Sequence, residues 1–181
     1  MVKALLLLAL ITAPALAQDT THAAPPANAA DVATVDAILK TLYDVISGPA
    51  GQKRDWNRFR SLFVPGARLV PTRQRPNEPA QAVVLDPEGY ISRAGAMLEQ
   101  NGFFEREISR KTETFGRITH AFSTYASFHA ASDTAPFARG INSIQLLNDG
   151  TRWWVVTIYW DAERPGLTLP RQYLPPPPSD P

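Results

Sequence analysis

Over residues 152–160 the chain reads Arg152-Trp153-Trp154-Val155-Val156-Thr157-Ile158-Tyr159-Trp160. β-Branched and aromatic residues dominate this run, and these residue types are enriched in strands. The turn Asn148-Asp149-Gly150 joins it to a second alternating run over residues 139–147. An Asp-Gly pair between two such runs is a strong hairpin signal. The sequence therefore predicts a long antiparallel hairpin near the end of the fold.

Four more strands are predicted before this hairpin. Residues 103–114 form a run of mixed polarity, and residues 118–130 alternate between two faces. Nearer the N-terminus, residues 67–70 and 82–85 are short strand candidates, and the prolines between residues 71 and 80 predict a loop between them.

Three helices are predicted around these strands. The first covers residues 31–47 with Asp31 as its N-cap and one apolar face; the second covers residues 55–64. The third covers residues 86–101, with Asp86 before a proline in its first turn. The order α-α-β-β-α-β-β-β-β predicts an α+β fold, in which a cone-like curved antiparallel or mixed sheet is closed by about three N-terminal helices.

Residues 1–17 are typical of a signal peptide. Lys3 precedes a short apolar run, and Ala15-Leu16-Ala17 is a small-x-small cleavage site. The run is too short to cross a bilayer and no second one follows, so we expect no membrane span. The chain is predicted to be periplasmic or secreted after cleavage behind Ala17; an uncleaved anchor is the alternative.

The rest of the chain divides into three parts. Residues 18–30 are small, polar and proline-containing, which predicts a flexible leader. Residues 31–164 are long enough for one domain with its own core. Residues 165–181 form a Pro-rich tail that either frays or lies on the surface.

Composition excludes several functions. Without Lys3 the chain has 17 basic and 17 acidic residues and no basic cluster, so nucleic acid is not an expected partner. The absence of cysteine excludes thiol catalysis and Cys-type zinc sites. No nucleophile elbow, phosphate-binding glycine loop or His-Glu-x-x-His motif is present.

The chain resembles the nuclear-transport-factor-2-like (NTF2-like) superfamily, in particular its SnoaL-like branch. The resemblance rests on the element order, on Tyr43 in the first helix, on the Asp-Trp-x-x-Phe-x-x-Leu-Phe pattern of residues 55–63, and on the aromatic hairpin. It covers residues 31–162. The superfamily includes ketosteroid isomerase, polyketide cyclases, scytalone dehydratase and members that only bind or assemble, so the resemblance implies fold more than activity.

The isomerase-like members place a tyrosine donor on the first helix, a carboxylate base after the first strand and a second acid on a late strand. Here Tyr43 lies one residue out of register, Pro71 stands at the base position, and Asn142 stands at the second donor position. An amide can donate a hydrogen bond to an oxyanion but cannot act as a general acid. This pattern argues against proton abstraction next to a carbonyl.

The resemblance implies which strand faces point toward a cavity, and these faces carry mostly apolar and aromatic residues. Such a wall is typical of a pocket for a small ligand. The alternative is a pocket that its own side chains fill. His120 is the predicted acid/base because histidine titrates near neutrality, with Tyr43 and Asn142 as donors; a structural histidine is the alternative. His129 falls on the other face, so no metal site and no cofactor are expected. The predicted ligand-binding residues are Trp56, Phe122, Thr124, Arg139, Ile144, Trp154, Ile158 and Trp160.

The opposite sheet face is predicted to carry Tyr125, Trp153 and Tyr159. Large amphipathic aromatics on an uncovered face favour a protein interface, and the resemblance implies a homodimer through it. Three functions follow: a module that binds a small hydrophobic or aromatic molecule without catalysis, a cofactor-free isomerase, dehydratase or cyclase, and an assembly subunit with a vestigial pocket.

Overall fold

The computed structural model describes residues 24–75 and 77–176. The predicted signal peptide, the first part of the leader and the last residues of the tail lie outside this range. Within it, none of the helices is both long enough and apolar enough to cross a membrane.

Four α-helices and one short 3₁₀ helix accompany the sheet. The helices are α1 (Ala29–Val32), α2 (Val35–Ile46), α3 (Trp56–Arg60), α4 (Pro87–Asn101) and the 3₁₀ helix η1 (Arg171–Tyr173). The predicted N-cap Asp86 accepts a backbone hydrogen bond at the start of α4, and Asp55, near which the second helix was predicted to begin, does the same at the start of α3. The predicted start of the first helix is wrong, because Thr34 caps α2. Asp31 lies in α1 and instead accepts two hydrogen bonds from Arg58, at 2.7 and 2.8 Å.

Six strands form one curved, unclosed mixed sheet in the order β2-β1-β6-β5-β4-β3. The strands are β1 (Phe63–Arg73), β2 (Gln81–Ala82), β3 (Phe104–Phe115), β4 (Ile118–Phe128), β5 (Ala138–Asn148) and β6 (Trp153–Ala162). β1 pairs with β6 in parallel, and the other ladders are antiparallel. The predicted fold class and the order of the sheet elements are confirmed; the additional elements are the short helices α1 and η1.

The inner face of the sheet packs against α2, α3 and α4. Fully buried residues from both layers form the core, among them Ile38, Leu39, Phe59, Ile144 and Val155. Arg54 is 6% exposed and closes one end of this core. Its guanidinium donates to the carbonyls of Ile46, Gly48 and Leu98 at 3.0, 2.7 and 2.9 Å, so it ties the end of α2 to the end of α4.

A bulge in the β5–β6 ladder decides which face the aromatic hairpin presents. Gln145 pairs with Thr157 but Leu146 pairs with Val155, so Val156 is an extra residue that reverses the alternation. The prediction that Trp154 faces the cavity is therefore wrong. Its indole Nε1 donates to Asp149 at 2.7 Å, away from the helices. Trp153, predicted for the outer face, packs against the core instead.

The faces of β4 are also opposite to the prediction. Ser123 bonds Tyr43 of α2, so the odd-numbered positions face the helices. Phe122 and Thr124 lie on the outer face, where Phe122 packs edge-on against Tyr173 and Thr124 donates to the Tyr173 carbonyl at 2.7 Å. Both faces of β4 carry apolar residues because the tail covers part of the outer one, so polarity alone could not assign them.

Candidate functional site

A cavity of about 260 Å³ lies between the inner sheet face and helices α2 and α4. Its wall is predominantly apolar and aromatic, with a few polar groups. The lining residues are Leu42, Tyr43, Ile46, Phe59, Leu69, Tyr90, Ala94, Met97, Leu98, Phe103, Glu105, Tyr125, Ser127, Phe137, Ala138, Asn142, Ile158 and Trp160. The volume is just below the roughly 300–1,000 Å³ of pockets for drug-sized ligands, so it suits a smaller molecule.

Stacked aromatic rings shape one wall of the cavity. The rings of Phe59 and Tyr90 stack at 5.4 Å, and Trp160 meets Tyr90 edge-on at 6.4 Å. Such offset and edge-to-face pairs hold each other in place. The wall is therefore rigid and apolar and suits a flat hydrocarbon or aromatic group.

Tyr43 lies in a directed chain of hydrogen bonds. The amide nitrogen of Asn142 donates to the Tyr43 hydroxyl oxygen at 3.1 Å, and the Ser123 hydroxyl donates to Glu107 at 2.5 Å. Since the single hydroxyl proton of Ser123 is used on Glu107, the 2.7 Å contact between Tyr43 and Ser123 requires Tyr43 to donate. The proton of Tyr43 therefore points away from the cavity.

Among the residues that the structure describes, Glu105 is the one acidic residue that lines the cavity. Its carboxylate accepts a hydrogen bond from Ser127 at 2.9 Å, and its backbone nitrogen donates to Ser47 at 3.0 Å, which fixes this end of β3 against α2. Burial raises the pKa of Glu105 to about 7, although hydrogen bonding by Ser127 and Asn142 acts in the opposite direction. A carboxyl that gains and loses a proton near neutrality suits general acid/base work.

Two tyrosine hydroxyls remain available to a ligand. Within the described part of the chain, no hydrogen bond is formed by the hydroxyl of Tyr90 or Tyr125. Burial, followed by the nearby Glu105 carboxylate, raises the pKa of both groups above 10, so both stay protonated. They can donate to an oxygen of a bound molecule beside Glu105 and Asn142.

Some predicted site residues meet at this cavity and others do not. Tyr43, Asn142, Ile158 and Trp160 line it. Ile144 is fully buried in the core. Trp56 packs edge-on against Phe59, and its indole nitrogen donates to Glu99 at 3.0 Å, so it supports the wall from behind.

The prediction that His120 faces the cavity is wrong. His120 lies on the outer face, where its Nε2 is 3.0 Å from the Ser143 hydroxyl. It borders a separate hollow beneath the tail, together with Phe122 and Tyr173. Because it is on the far side of the sheet, His120 cannot exchange a proton with a molecule in the inner cavity.

The remaining predicted contacts also lie elsewhere. Arg139 does not clamp a ligand, because its guanidinium binds Glu163 at 2.7 and 3.2 Å. Tyr125, predicted for the outer interface, is 6% exposed and lines the cavity. In residues 24–75 and 77–176 there is no group of three or more His, Cys, Asp or Glu side chains placed to hold a metal ion.

Sequence reasoning missed Glu105 because β3 alternates acidic and basic residues and was interpreted as surface pairing. No local signal locates it, because Phe103 lies on the same face as Glu105 while Phe104, the first residue of β3, lies on the opposite face.

Comparison with protein-family models finds no match for the chain, and comparison with curated proteins finds none either. Solved structures do match. One is a protein of unknown function with a cystatin-like fold from Nostoc punctiforme, with a TM-score of 0.53, 9% identity, and coverage of 71% of this chain and 88% of that one. Another is an NTF2-like protein of unknown function from Silicibacter pomeroyi, with a TM-score of 0.50, 14% identity, and coverage of 72% and 94%.

The geometry and these matches define the class as an α+β cone, a curved sheet wrapped around helices with a hollow between them. Within that class, the chain has the NTF2-like fold. At this identity the likeness concerns the fold alone.

Proposed function

We propose that the chain binds a small, mostly apolar molecule in the inner cavity. The observation that carries the proposal is a hollow of about 260 Å³ whose wall is aromatic and aliphatic and whose polar groups gather around Glu105 and Asn142. Such a wall favours a hydrocarbon or aromatic body by burial, and the polar groups favour one hydroxyl or carbonyl that reaches them. The ligand is therefore one or two rings, or a short chain, with one polar end.

A cavity-filling variant tests this proposal. Ala94 lies on α4 and lines the cavity, whereas Ala96 is exposed on the same helix. We expect 4-phenylbutan-1-ol to bind the unmodified protein by isothermal titration calorimetry, Ala94→Phe to abolish binding, and Ala96→Phe to leave it unchanged. Absence of binding to the unmodified protein, or equal binding by both variants, would contradict the proposal.

A second candidate function is a cofactor-free proton transfer of the isomerase, dehydratase or cyclase type. The observation that favours it is the Glu105 carboxyl, whose pKa of about 7 leaves much of it ionised as a base at neutral pH. The Glu105 carboxylate would take a proton next to a ligand carbonyl, and the Tyr125 hydroxyl would donate to the resulting oxyanion. This assignment replaces His120 by Glu105 and moves the main donor from Tyr43 to Tyr125.

Proton exchange on 2-tetralone in D₂O tests this candidate without knowledge of the substrate. Catalysis predicts exchange of the hydrogens next to the carbonyl faster than in buffer, observed by NMR. The exchange should fall to the buffer rate in Glu105→Gln and persist in His120→Gln. If the unmodified protein exchanges these hydrogens no faster than buffer does, the isomerase-type function is excluded for this class of ketones and the binding function is left.

We also propose that the chain acts outside the cytoplasm and as a homodimer. The N-terminal pattern of residues 1–17 supports export, and intact mass spectrometry of protein secreted by its own host should find Gln18 as the first residue. Large apolar side chains that remain exposed on the outer sheet face support the dimer, with Phe115, Ile118 and Tyr159 exposed by 84%, 60% and 46%.

A further inference from the structure

A second hollow, of about 440 Å³, adjoins the inner cavity between the end of β1 and helix α4. The two hollows share four lining residues, which are Tyr90, Ala94, Met97 and Trp160. A molecule seated against the aromatic wall of the inner cavity therefore has a polar outer compartment beside it. We call this second hollow the vestibule; its other lining residues are Pro71, Thr72, Arg73, Gln74, Val83, Leu85 and Arg93.

Among the described residues, the charged side chains of the vestibule are all basic. Arg73, at the end of β1, and Arg93, on α4, line it, and no described acidic residue does. Within the described residues, neither guanidinium forms an ion pair or a hydrogen bond. Elsewhere in the fold, Arg58, Arg60 and Arg139 each bind a carboxylate. The two vestibule arginines thus have their full donor capacity available for a ligand.

The helical position of Arg93 aligns it with the cavity wall. Arg93 lies three residues after Tyr90 and four before Met97, so the three side chains form one stripe along α4. Arg93 lies between Tyr90 and Met97 in this stripe, and both of these flanking residues line both hollows. A ligand that packs against Tyr90 or Met97 therefore has the Arg93 side chain about one helical turn away.

We propose that the vestibule binds the carboxylate of an amphipathic ligand whose apolar body occupies the inner cavity. This inference rests on the proposed binding function and specifies its ligand class as aryl-alkyl or short-chain carboxylic acids. The orientation follows from charge. Ionised Glu105 repels a carboxylate from the inner end, while the planar guanidinium forks of Arg73 and Arg93 match carboxylate geometry at the outer end.

A matched pair of probes tests the inference. 4-Phenylbutanoate and 4-phenylbutan-1-ol have the same apolar body and differ in the terminal group. Calorimetric titration at pH 7.5 and low salt should show the carboxylate binding about tenfold more tightly, as expected for charge-assisted hydrogen bonds. Because the arginines are exposed, the preference should shrink in 0.5 M NaCl through screening.

The variants separate the vestibule from the net charge of the protein. The double variant Arg73→Gln/Arg93→Gln should bind both probes with the affinity of the alcohol. Arg171→Gln is the control, because Arg171 is exposed on the tail and lines neither hollow; it should keep the preference. Equal affinities in the unmodified protein, or a preference that survives the double variant, overturn the inference. If neither probe binds, the proposed cavity function itself fails, which is a different result.

Discussion

The Asn142 amide donates to the Tyr43 hydroxyl across 99 positions of sequence, joining β5 to α2 at the inner end of the cavity. The bond continues through Ser123 to Glu107, so the Tyr43 proton is directed away from the cavity. A buried polar network of this kind stabilises the fold only while every member is satisfied. Tyr43 is therefore a structural member of the site, and the groups that face a ligand are Glu105, Tyr125 and Asn142.

Tyr43→Phe should destabilise the protein by about 1–2 kcal/mol, because it removes the acceptor of one Asn142 N–H and the donor to the Ser123 oxygen, both in a buried network. The measurement is urea unfolding followed by tryptophan fluorescence. Tyr159→Phe is the matched control, since Tyr159 is 46% exposed on the outer face and should change stability by less than about 0.5 kcal/mol. Equal stabilities of the two variants would show that the network contributes nothing.

Glu105 should make stability fall as pH rises. Because its folded-state pKa of about 7 lies above the ordinary value of 4.5, the folded protein binds more protons than the unfolded chain between these values. The stabilising contribution of Glu105 is fully present below pH 4.5, declines between pH 4.5 and pH 7, and is gone above pH 7. We expect a contribution of about 2 kcal/mol to the free energy of unfolding. This is less than the whole pKa shift would give, because Glu105 borders a hollow that admits solvent.

Glu105→Gln should remove this slope, since a neutral amide does not titrate. The free energy of unfolding is measured for the variant and the unmodified protein at pH 4.5 and at pH 8. The difference between the two proteins is then compared between the two pH values, so that the contributions of the other titrating groups cancel. Glu113→Gln, on an exposed outer position, controls for loss of one carboxylate. A difference that stays constant with pH would mean that Glu105 ionises normally.

The sequence predicted the order of the sheet elements because the turn residues and the two- and 3.6-residue periods are local signals. The predicted assignment of side chains to the two faces of the sheet was wrong, because the faces depend on interactions between residues distant in the sequence. The extra residue Val156 is a property of the ladder between β5 and β6, and nothing in the run 152–160 marks where the alternation reverses. Trp154 and Trp153 therefore exchanged sides relative to the prediction.

The site was only partly predictable for the same reason. The strand faces that the resemblance implies place Asn142, Ile158 and Trp160 at the cavity, where the structure has them. Glu105 becomes a site residue only because Ser47, directly after α2, and Ser127 of β4 hold its strand and its carboxylate in place. Those partners are 58 and 22 positions away in the sequence, beyond any local pattern.

His120→Gln should leave ligand affinity within twofold of the unmodified protein, because His120 and the inner cavity lie on opposite faces of β4. Asn142→Leu should weaken binding of 4-phenylbutan-1-ol about tenfold or more, since it removes a polar group that lines the cavity. Calorimetry on both variants compares the two sides of the sheet directly. A large loss of affinity in His120→Gln would contradict the assignment of faces.

Arg54→Lys should cost about 3 kcal/mol or more of stability despite keeping the charge. The guanidinium reaches the carbonyls of Ile46, Gly48 and Leu98 in different directions, which a lysine ammonium cannot reproduce, so buried acceptors lose their donors. Chemical denaturation measures the loss. Arg68→Lys should be nearly neutral, because Arg68 is exposed and, within the described part of the chain, its side chain bonds the Gly66 carbonyl alone. Similar costs at both positions would contradict a special role for Arg54.

The outer face should associate through its apolar end. Cross-strand pairing aligns Phe115, Ile118, Leu147 and Trp154 in one row across four strands. Phe115 and Ile118 at 84% and 60% exposure are too apolar for a row that stays in water. Ile118→Asp should convert a dimer to a monomer in light scattering coupled to size exclusion, whereas Thr151→Asp, exposed in the neighbouring turn, should not. A monomer for the unmodified protein at micromolar concentration would exclude this interface, and a dimer that survives Ile118→Asp would place it on another surface.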